Sequence, residues 1–202
     1  MVWYATAGLY LLNLLELWLH TIFVTPFQSP DMLWILVPIW LSWVFAEFFQ
    51  EKIGTSMGNA LTNSVIVFWG SIDWARQTIN LITTGIVKDV WSIVSRYAII
   101  VLVFIYSIVI ITLGIKGNPL IKFIARIREV TYVLVIFTPI LYNKIPLTFN
   151  FLLSAILFFP LFYYVIELVA YLLPHPKAVL HDIGGQKTSG SSLEDLEKQF
   201  KI

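Results

Sequence analysis

The chain has 202 residues, of which 58% are hydrophobic and 12% charged, and its mean hydropathy is +0.82. Soluble domains average about 45–50% apolar and about 25% charged residues, so this composition predicts an integral membrane protein. The net charge of +1 excludes a nucleic-acid-binding surface, and the absence of cysteine excludes disulfides, thiolate metal sites and thiol catalysis.

Long apolar runs predict the helices that cross the membrane. A bilayer core about 30 Å thick is spanned by about 20 mostly apolar residues in a helix. About six such runs occur, at residues 2–27, 32–50, 56–76, 96–117, 119–142 and 147–173. Residues 1–176 are therefore predicted to form an all-α, polytopic helical bundle in the membrane. The first run contains Glu16 and follows no basic segment, which favours a retained span over a signal peptide.

Three further segments have patterns of their own. Residues 77–95 mix Lys88 and Asp89 with large apolar side chains, which predicts an amphipathic segment, either flat in the membrane interface or extending the third helix. Asn118 and Pro119 are typical of an N-cap and a first helical position, so the fifth helix is predicted to begin there. Residues 177–202 form a polar tail, in which a capping-box pattern predicts a short helix at 193–200.

The basic residues predict the orientation of these spans. With six crossings, nine of the 13 Lys and Arg residues fall on the side of the two termini. The other four are Arg76, Lys88, Arg96 and Lys144. Because cytoplasmic loops are rich in Lys and Arg, this split predicts a multi-pass protein of the cell membrane with both termini in the cytoplasm. The prediction requires the third run to cross the bilayer completely.

Polar side chains inside the spans are the candidate functional residues. A carboxylate near the bilayer centre costs about 2.5–3.5 kcal/mol on insertion scales. The third run begins with a row of small and amide residues, and such a row cannot face lipid because unpaired polar groups are costly there. The residues predicted to line a transport path or to form a polar network are Asn13, Glu16, Glu47, Glu51, Ser56, Asn59, Asn63, Asp73 and Glu167.

This polar set has two interpretations. As a path, its middle is formed by three amides, Asn13, Asn59 and Asn63. Carboxylates lie toward both ends of this path and no basic residue lies at its centre. Such a lining favours the transport of cations or protons. As packing, small and amide residues are what membrane helices use to hydrogen-bond one another. In that case Glu47 and Glu51 form an interfacial pair that Lys52 neutralises.

Glu16 is the carboxylate that is hardest to explain as packing. It lies too deep in its span for its side chain to reach the membrane surface. We expect it to be protonated or paired, with His20 and Arg76 as the candidate partners. Arg76 also stands three residues after Asp73, a spacing that predicts an ordinary salt bridge between them.

No motif of a zinc protease, a serine hydrolase or a nucleotide-binding loop is present, so no enzymatic activity, cofactor or metal site is predicted. The protein is expected to bind the lipid bilayer, and two non-enzymatic functions are then considered. One is a small cation or proton channel or carrier, formed by a homo-oligomer around an acid- and amide-lined path. The other is a non-catalytic structural or assembly subunit that binds other membrane subunits. The many Ile and Val residues without cysteine are compatible with a thermophilic prokaryote or archaeon.

Overall fold

A computed structural model describes residues 3–47 and 55–172, and the regular structure within these ranges is all helical, as predicted. The helices are α1 (Trp3–Phe23), α2 (Pro30–Phe45), α3 (Met57–Thr83), α4 (Val90–Ile115), α5 (Ile121–Ile124), α6 (Ile127–Leu141) and α7 (Phe149–Leu172), with a 3-10 turn at Thr25–Gln28. Glu51 and the polar tail with its predicted helix at 193–200 lie outside the described residues.

Helix α6 forms the centre of the bundle, with 11 of its 15 residues buried. Helix α3 runs parallel to α6, because Asn63 contacts Ala125 just before α6 begins and Trp74 contacts Thr138 near its end. Helix α4 runs in the opposite direction, because Arg96 in its first turns contacts the last turn of α6. Helix α3 therefore packs between α4 and α6 and contacts both.

Helices α2 and α7 also run opposite to α6. Glu47, directly after α2, and Glu167, late in α7, both reach Arg128 in the first turn of α6. The bundle thus has two ends. We call them the Arg128 end, where α2, α4 and α7 finish, and the Arg96 end, where α3 and α6 finish.

Helix α1 packs against α7 in a direction that the six-span prediction does not give. Tyr10 donates a hydrogen bond to Asn150 over 2.9 Å, and the rings of Trp18 and Phe158 lie 5.7 Å apart. Because the two pairs follow the same order along both helices, α1 runs parallel to α7. In six alternating spans the first and last would be antiparallel. Apolar periodicity locates a helix but does not determine the direction in which it packs.

Among the described residues, two helices are long and apolar enough to cross a membrane: α4, and the part of α7 from Phe149 to Val169. Helix α2 is apolar but has 16 residues, and α6 has 15. A bundle of six spans is therefore not confirmed. Large apolar side chains are nonetheless exposed along every long helix except α6.

The predicted amphipathic segment at 77–95 is not a separate element. Its first part continues α3 to Thr83, and its last part begins α4. Gly85 separates the two helices by adopting a positive φ of 70°, a conformation that suits glycine. The Asp89 side chain then accepts a hydrogen bond from the Ser92 backbone N–H over 2.7 Å and caps α4.

The predicted fifth helix at 119–142 is broken after one turn. Asn118 starts a turn, but Ala125 leaves the helical conformation and α6 begins two residues later. The backbone carbonyls at the break are satisfied from neighbouring helices. Asn63 donates to the Ala125 carbonyl over 2.8 Å, and the Tyr106 hydroxyl donates to the Ile124 carbonyl. These contacts replace the helical hydrogen bonds that the break removes.

Glycine allows α3 and α4 to approach closely at one point. A Cβ atom added to Gly114 would lie 2.3 Å from Leu61 Cδ2 and 2.9 Å from Leu61 Cγ. By contrast, a Cβ added to Gly8 in α1 would meet nothing within 4 Å. The close contact of α3 and α4 therefore depends on glycine at position 114.

We predict that Gly114→Ala lowers the free energy of unfolding by about 1–3 kcal/mol, because Leu61 must shift to accommodate the methyl group. The measurement is thermal unfolding of the full chain in detergent. Gly8→Ala, the matched control, should leave the midpoint unchanged or raise it slightly. Equal midpoints for the two variants would contradict the close approach at Gly114.

Candidate functional site

The largest group of charged contacts lies at the Arg128 end of the bundle. Arg126 adopts an extended conformation and α6 begins immediately after it, which places Arg128 in the first turn of the helix. Glu47 approaches from the end of α2, and Tyr163 and Glu167 approach from α7. We call Glu47, Arg128, Tyr163 and Glu167 the Arg128 cluster.

One guanidinium group serves two carboxylates in this cluster. Arg128 Nε donates to both carboxylate oxygens of Glu47 over 2.9 Å, and Nη2 donates to Glu47 Oε1 as well. Nη1 donates to Glu167 Oε2. The guanidinium carbon also lies 4.8 Å from the centre of the Tyr163 ring, in cation–π contact. Such multidentate contacts fix the orientation of arginine more firmly than a single ion pair would.

Burial divides the roles of the two acids. The Glu47 side chain is 2% exposed, whereas that of Glu167 is 63% exposed. A buried carboxylate must be paired, since removing its partner leaves an uncompensated charge out of water. Arg128 therefore neutralises Glu47, and Glu167 completes the coordination of the guanidinium from the surface. The arrangement holds α2, α6 and α7 together.

Among the described residues, the partner of Glu47 is Arg128. Lys52, which the packing interpretation gave as the neutralising residue, lies outside the described residues. Arg128 lies between two of the predicted carboxylates at one end of the bundle, and it was not included in the predicted polar set. Sequence reasoning missed this arginine because it stands 81 positions from Glu47 and looked like a surface residue at the start of a span. The available signal was an arginine and two glutamates predicted at the same membrane surface.

A second polar group surrounds Asp73 on α3. Arg76 donates to Asp73 Oδ1 from Nε over 3.1 Å and from Nη2 over 2.8 Å, so the predicted salt bridge is present. The Tyr142 hydroxyl donates to the other oxygen of the same carboxylate. Asp73 thus links α3 to the end of α6, and both of its oxygens accept hydrogen bonds.

Arg96 occupies a buried position that the sequence did not predict. The residue is 4% exposed, and its Nη1 donates to the carbonyls of Ile140 over 2.6 Å and Leu141 over 3.0 Å. Its Nη2 donates to Asn143 Oδ1 over 2.7 Å. A cationic side chain at the C-terminus of a helix donates hydrogen bonds to the last carbonyls and interacts favourably with the negative end of the helix dipole. Arg96 therefore caps α6 from a neighbouring helix.

The amides predicted to mark the middle of a path are not brought together. Asn13 lies on the exposed face of α1, whereas Asn63 is buried and bonded to the backbone before α6. Ser56 caps α3 by accepting a hydrogen bond from the Asn59 backbone N–H over 3.1 Å. Ser56 and Asn63 thus hold the start of α3 and the backbone before α6 in place, whereas Asn13 lies on a different helix from the other two amides.

Glu16 differs from the other carboxylates. It is exposed on α1, and it makes no hydrogen bond or ion pair with any residue that the structure describes. The expected partners are engaged elsewhere: His20 contacts Thr25 over 3.1 Å, and Arg76 pairs with Asp73. Asn13 and His20 are exposed on the same helix face.

Comparisons with protein-family models, with curated proteins and with solved structures found no match for this chain. Within residues 3–47 and 55–172, no three His, Asp or Glu side chains are grouped to hold a metal ion. The observations that bear on function are therefore the internally paired acids and the exposed Glu16.

Proposed function

We propose that this chain is a multi-pass integral membrane protein that serves as a non-catalytic subunit of a larger membrane assembly. The observation that carries the proposal is the exposed Glu16 on α1. A carboxylate facing lipid at this depth costs about 2.5–3.5 kcal/mol, so a neighbouring protein is needed to cover it. The partner is a membrane helix that offers hydrogen-bond donors or a basic side chain to Glu16.

The alternating helices support a membrane orientation. Helices α2, α3, α4, α6 and α7 alternate in direction, and α3 has 27 residues, enough for about 40 Å at 1.5 Å per residue. All Lys and Arg residues follow α1 in the sequence, so their division of nine to four between the two sides depends on these five helices and not on α1. It favours a cytoplasmic Arg128 end and a cytoplasmic C-terminus. Because α1 runs parallel to α7, α1 begins at the opposite, Arg96 end of the bundle. The packing therefore does not favour a cytoplasmic N-terminus.

The internal polar groups support a structural role over an internal conduit. Glu47 and Glu167 share Arg128, and Asp73 is bonded to Arg76 and Tyr142. Carboxylates that are already paired in this way join helices to one another. They leave few free oxygen atoms to bind an ion that passes through the bundle. By contrast, Asn13 and Glu16 on the exposed face of α1 are not engaged in this way by any residue that the structure describes.

A second function is favoured by the same face of α1. Asn13 and Glu16 are both exposed on it. If several copies surround an axis with α1 inward, these side chains line a pore between the copies and a ring of carboxylates selects for cations or protons. This arrangement moves the predicted path from inside one chain to the symmetry axis of an oligomer.

Purification of the tagged full chain from its native membrane in mild detergent separates the two functions. We expect it to arrive in a fixed ratio with other membrane subunits, and Glu16→Leu to reduce the co-purified partner by about tenfold or more, since interhelical polar contacts contribute about 1–2 kcal/mol.

The matched control is Thr112→Leu, a polar-to-leucine change on the exposed face of α4. It should leave the partner ratio unchanged. A symmetric oligomer without other subunits would contradict the subunit function and favour the channel. In that case Glu16→Gln should lower cation or proton flux into reconstituted vesicles.

A further inference from the structure

The connection between α4 and α6, residues 116–126, is held firmly against the bundle. Gly117 ends α4 with a positive φ of 67°, a conformation that suits glycine after a helix. Ile121 and Ala125 are then fully buried, and both belong to one core cluster with Ile110 of α4. The connection is therefore a fixed part of the fold, and its outer side is a defined surface.

Part of this connection turns back along α4. Ile121 Cδ1 lies 3.5 Å from the position that a Cβ on Gly114 would take. The Ile124 carbonyl accepts a hydrogen bond from the Tyr106 hydroxyl. Gly114 and Tyr106 are eight residues apart in α4, which is about 12 Å at 1.5 Å per residue. Because α4 is long and apolar enough to cross a membrane, residues 121–124 lie at the depth of its last turns.

The outer side of the connection combines apolar and basic side chains. Leu120 is 56% exposed and Phe123 is 66% exposed, and their spacing of three places them about one helical turn apart on the same side. Lys116 at the start of the connection and Lys122 beside Phe123 are also exposed. Exposed apolar side chains next to basic ones are typical of segments that lie in the interface of a membrane.

The positive charge of this surface is not neutralised within the described chain. Lys116 and Lys122 make no ion pair with any residue that the structure describes. Glu47 and Glu167, which lie at the same end of the bundle, are both bound to Arg128. The two lysines are therefore available to an anionic partner.

We propose that this surface binds anionic phospholipid in the membrane leaflet at the Arg128 end. Leu120 and Phe123 insert among the upper acyl carbons, and Lys116 and Lys122 bind the headgroup phosphates. A lysine can do so from this depth because its alkyl chain lies along apolar surface while its ammonium group extends to the phosphates.

Two observations favour lipid over an acidic protein as the occupant. Uncompensated lysines beside a membrane helix attract anionic lipid by charge complementarity. The position of Phe123 beside the last turns of α4 directs its exposed side chain toward the lipid around that helix. This placement rests on the membrane orientation proposed above, and it holds for a subunit and for a channel alike.

The lipids that the full chain retains test the choice of anionic phospholipid. The protein is released from nanodiscs with equal amounts of phosphatidylglycerol and phosphatidylcholine, and the lipids that stay bound are counted by native mass spectrometry. We expect phosphatidylglycerol to be enriched over phosphatidylcholine. Lys116→Gln combined with Lys122→Gln should lower the enrichment about three- to tenfold, because each basic residue near the surface attracts anionic lipid. Equal retention of the two lipids by the unchanged protein would overturn the proposal.

Lys88→Gln combined with Lys144→Gln is the matched control, since it removes the same charge from exposed lysines at the Arg96 end. It should leave the enrichment unchanged. Equal enrichment in the two double variants would overturn the proposal. If an acidic protein co-purifies with the chain and is lost only in the Lys116 and Lys122 variant, without enrichment of phosphatidylglycerol, the occupant is that protein and the proposal is overturned.

Spin labels separate this proposal from the membrane orientation on which it rests. The chain has no cysteine, so Phe123→Cys, Ile105→Cys and Lys88→Cys each introduce one site for a label. Ile105 is 54% exposed within α4 and serves as the reference for the hydrocarbon, and Lys88 is the reference for water.

In reconstituted vesicles, we expect the labels at 123 and 105 to be shielded from a water-soluble nickel complex and the label at 88 to be accessible to it. A label at 123 that is as accessible as the one at 88, with the label at 105 shielded, would overturn the lipid-binding surface and leave the membrane orientation intact. Full accessibility at 105 would overturn both.

Discussion

Replacing Arg128 by methionine is expected to lower the free energy of unfolding by about 3–5 kcal/mol, because it leaves a buried carboxylate without its partner. Glu47 is 2% exposed and accepts all of its hydrogen bonds within the Arg128 cluster from this one guanidinium. The methionine side chain keeps much of the apolar volume of arginine, so the loss reports the charge and not a cavity. Thermal or denaturant unfolding of the full chain in detergent measures the effect.

The double variant Arg128→Met with Glu47→Leu identifies the cause of this loss. Replacing a buried ion pair by apolar residues of similar volume is often neutral or stabilising. We therefore expect the double variant to recover at least half of the stability that Arg128→Met removes. If it recovers none, the uncompensated charge on Glu47 is not the source of the instability.

Replacing Arg96 by methionine is expected to lower the free energy of unfolding by about 2–4 kcal/mol, because it leaves buried acceptors at the end of α6 without a donor. The groups affected are the carbonyls of Ile140 and Leu141 and the side chain of Asn143. Arg96→Lys keeps the charge but cannot reproduce the planar fork of donors, so it should recover part of the loss. Unfolding in detergent is again the measurement.

Lys144→Met provides the control for Arg96. Lys144 lies at the same end of the bundle, its side chain is exposed, and it makes no ion pair with any residue that the structure describes. Exposed substitutions of this kind change stability by about 0.5 kcal/mol or less, so the loss should be small. Equal losses for Lys144→Met and Arg96→Met would contradict the capping role of Arg96.

Apolar runs in the sequence predict most of the helices but not their interruptions. The fourth run, at 96–117, overlaps most of α4, and the sixth, at 147–173, contains α7. The break at Ala125 was missed because its backbone carbonyl is satisfied by Asn63, which is 62 positions away. A local pattern carries no information about a donor that arrives from another helix.

Two members of the Arg128 cluster stand out in the sequence, and their shared partner does not. Glu47 and Glu167 stand out from the sequence because carboxylates are rare among apolar residues. Their shared partner does not, because Arg128 lies at the start of its helix, where a basic residue at the membrane surface is ordinary. Burial separates Arg96 and Arg128 from the exposed Arg76, and burial depends on packing between helices.

The Arg128 cluster also bears on the biosynthesis of the chain. Glu47 and Arg128 are both synthesised before α7, so their ion pair can form while α7 is still in the ribosome. Helix α6, which begins with charged residues, then packs with Arg128 already neutralised by a residue of an earlier helix. Glu167 arrives later and joins from the exposed side, where water can still hydrate it. The order of the helices in the chain thus lets the buried charge be neutralised first.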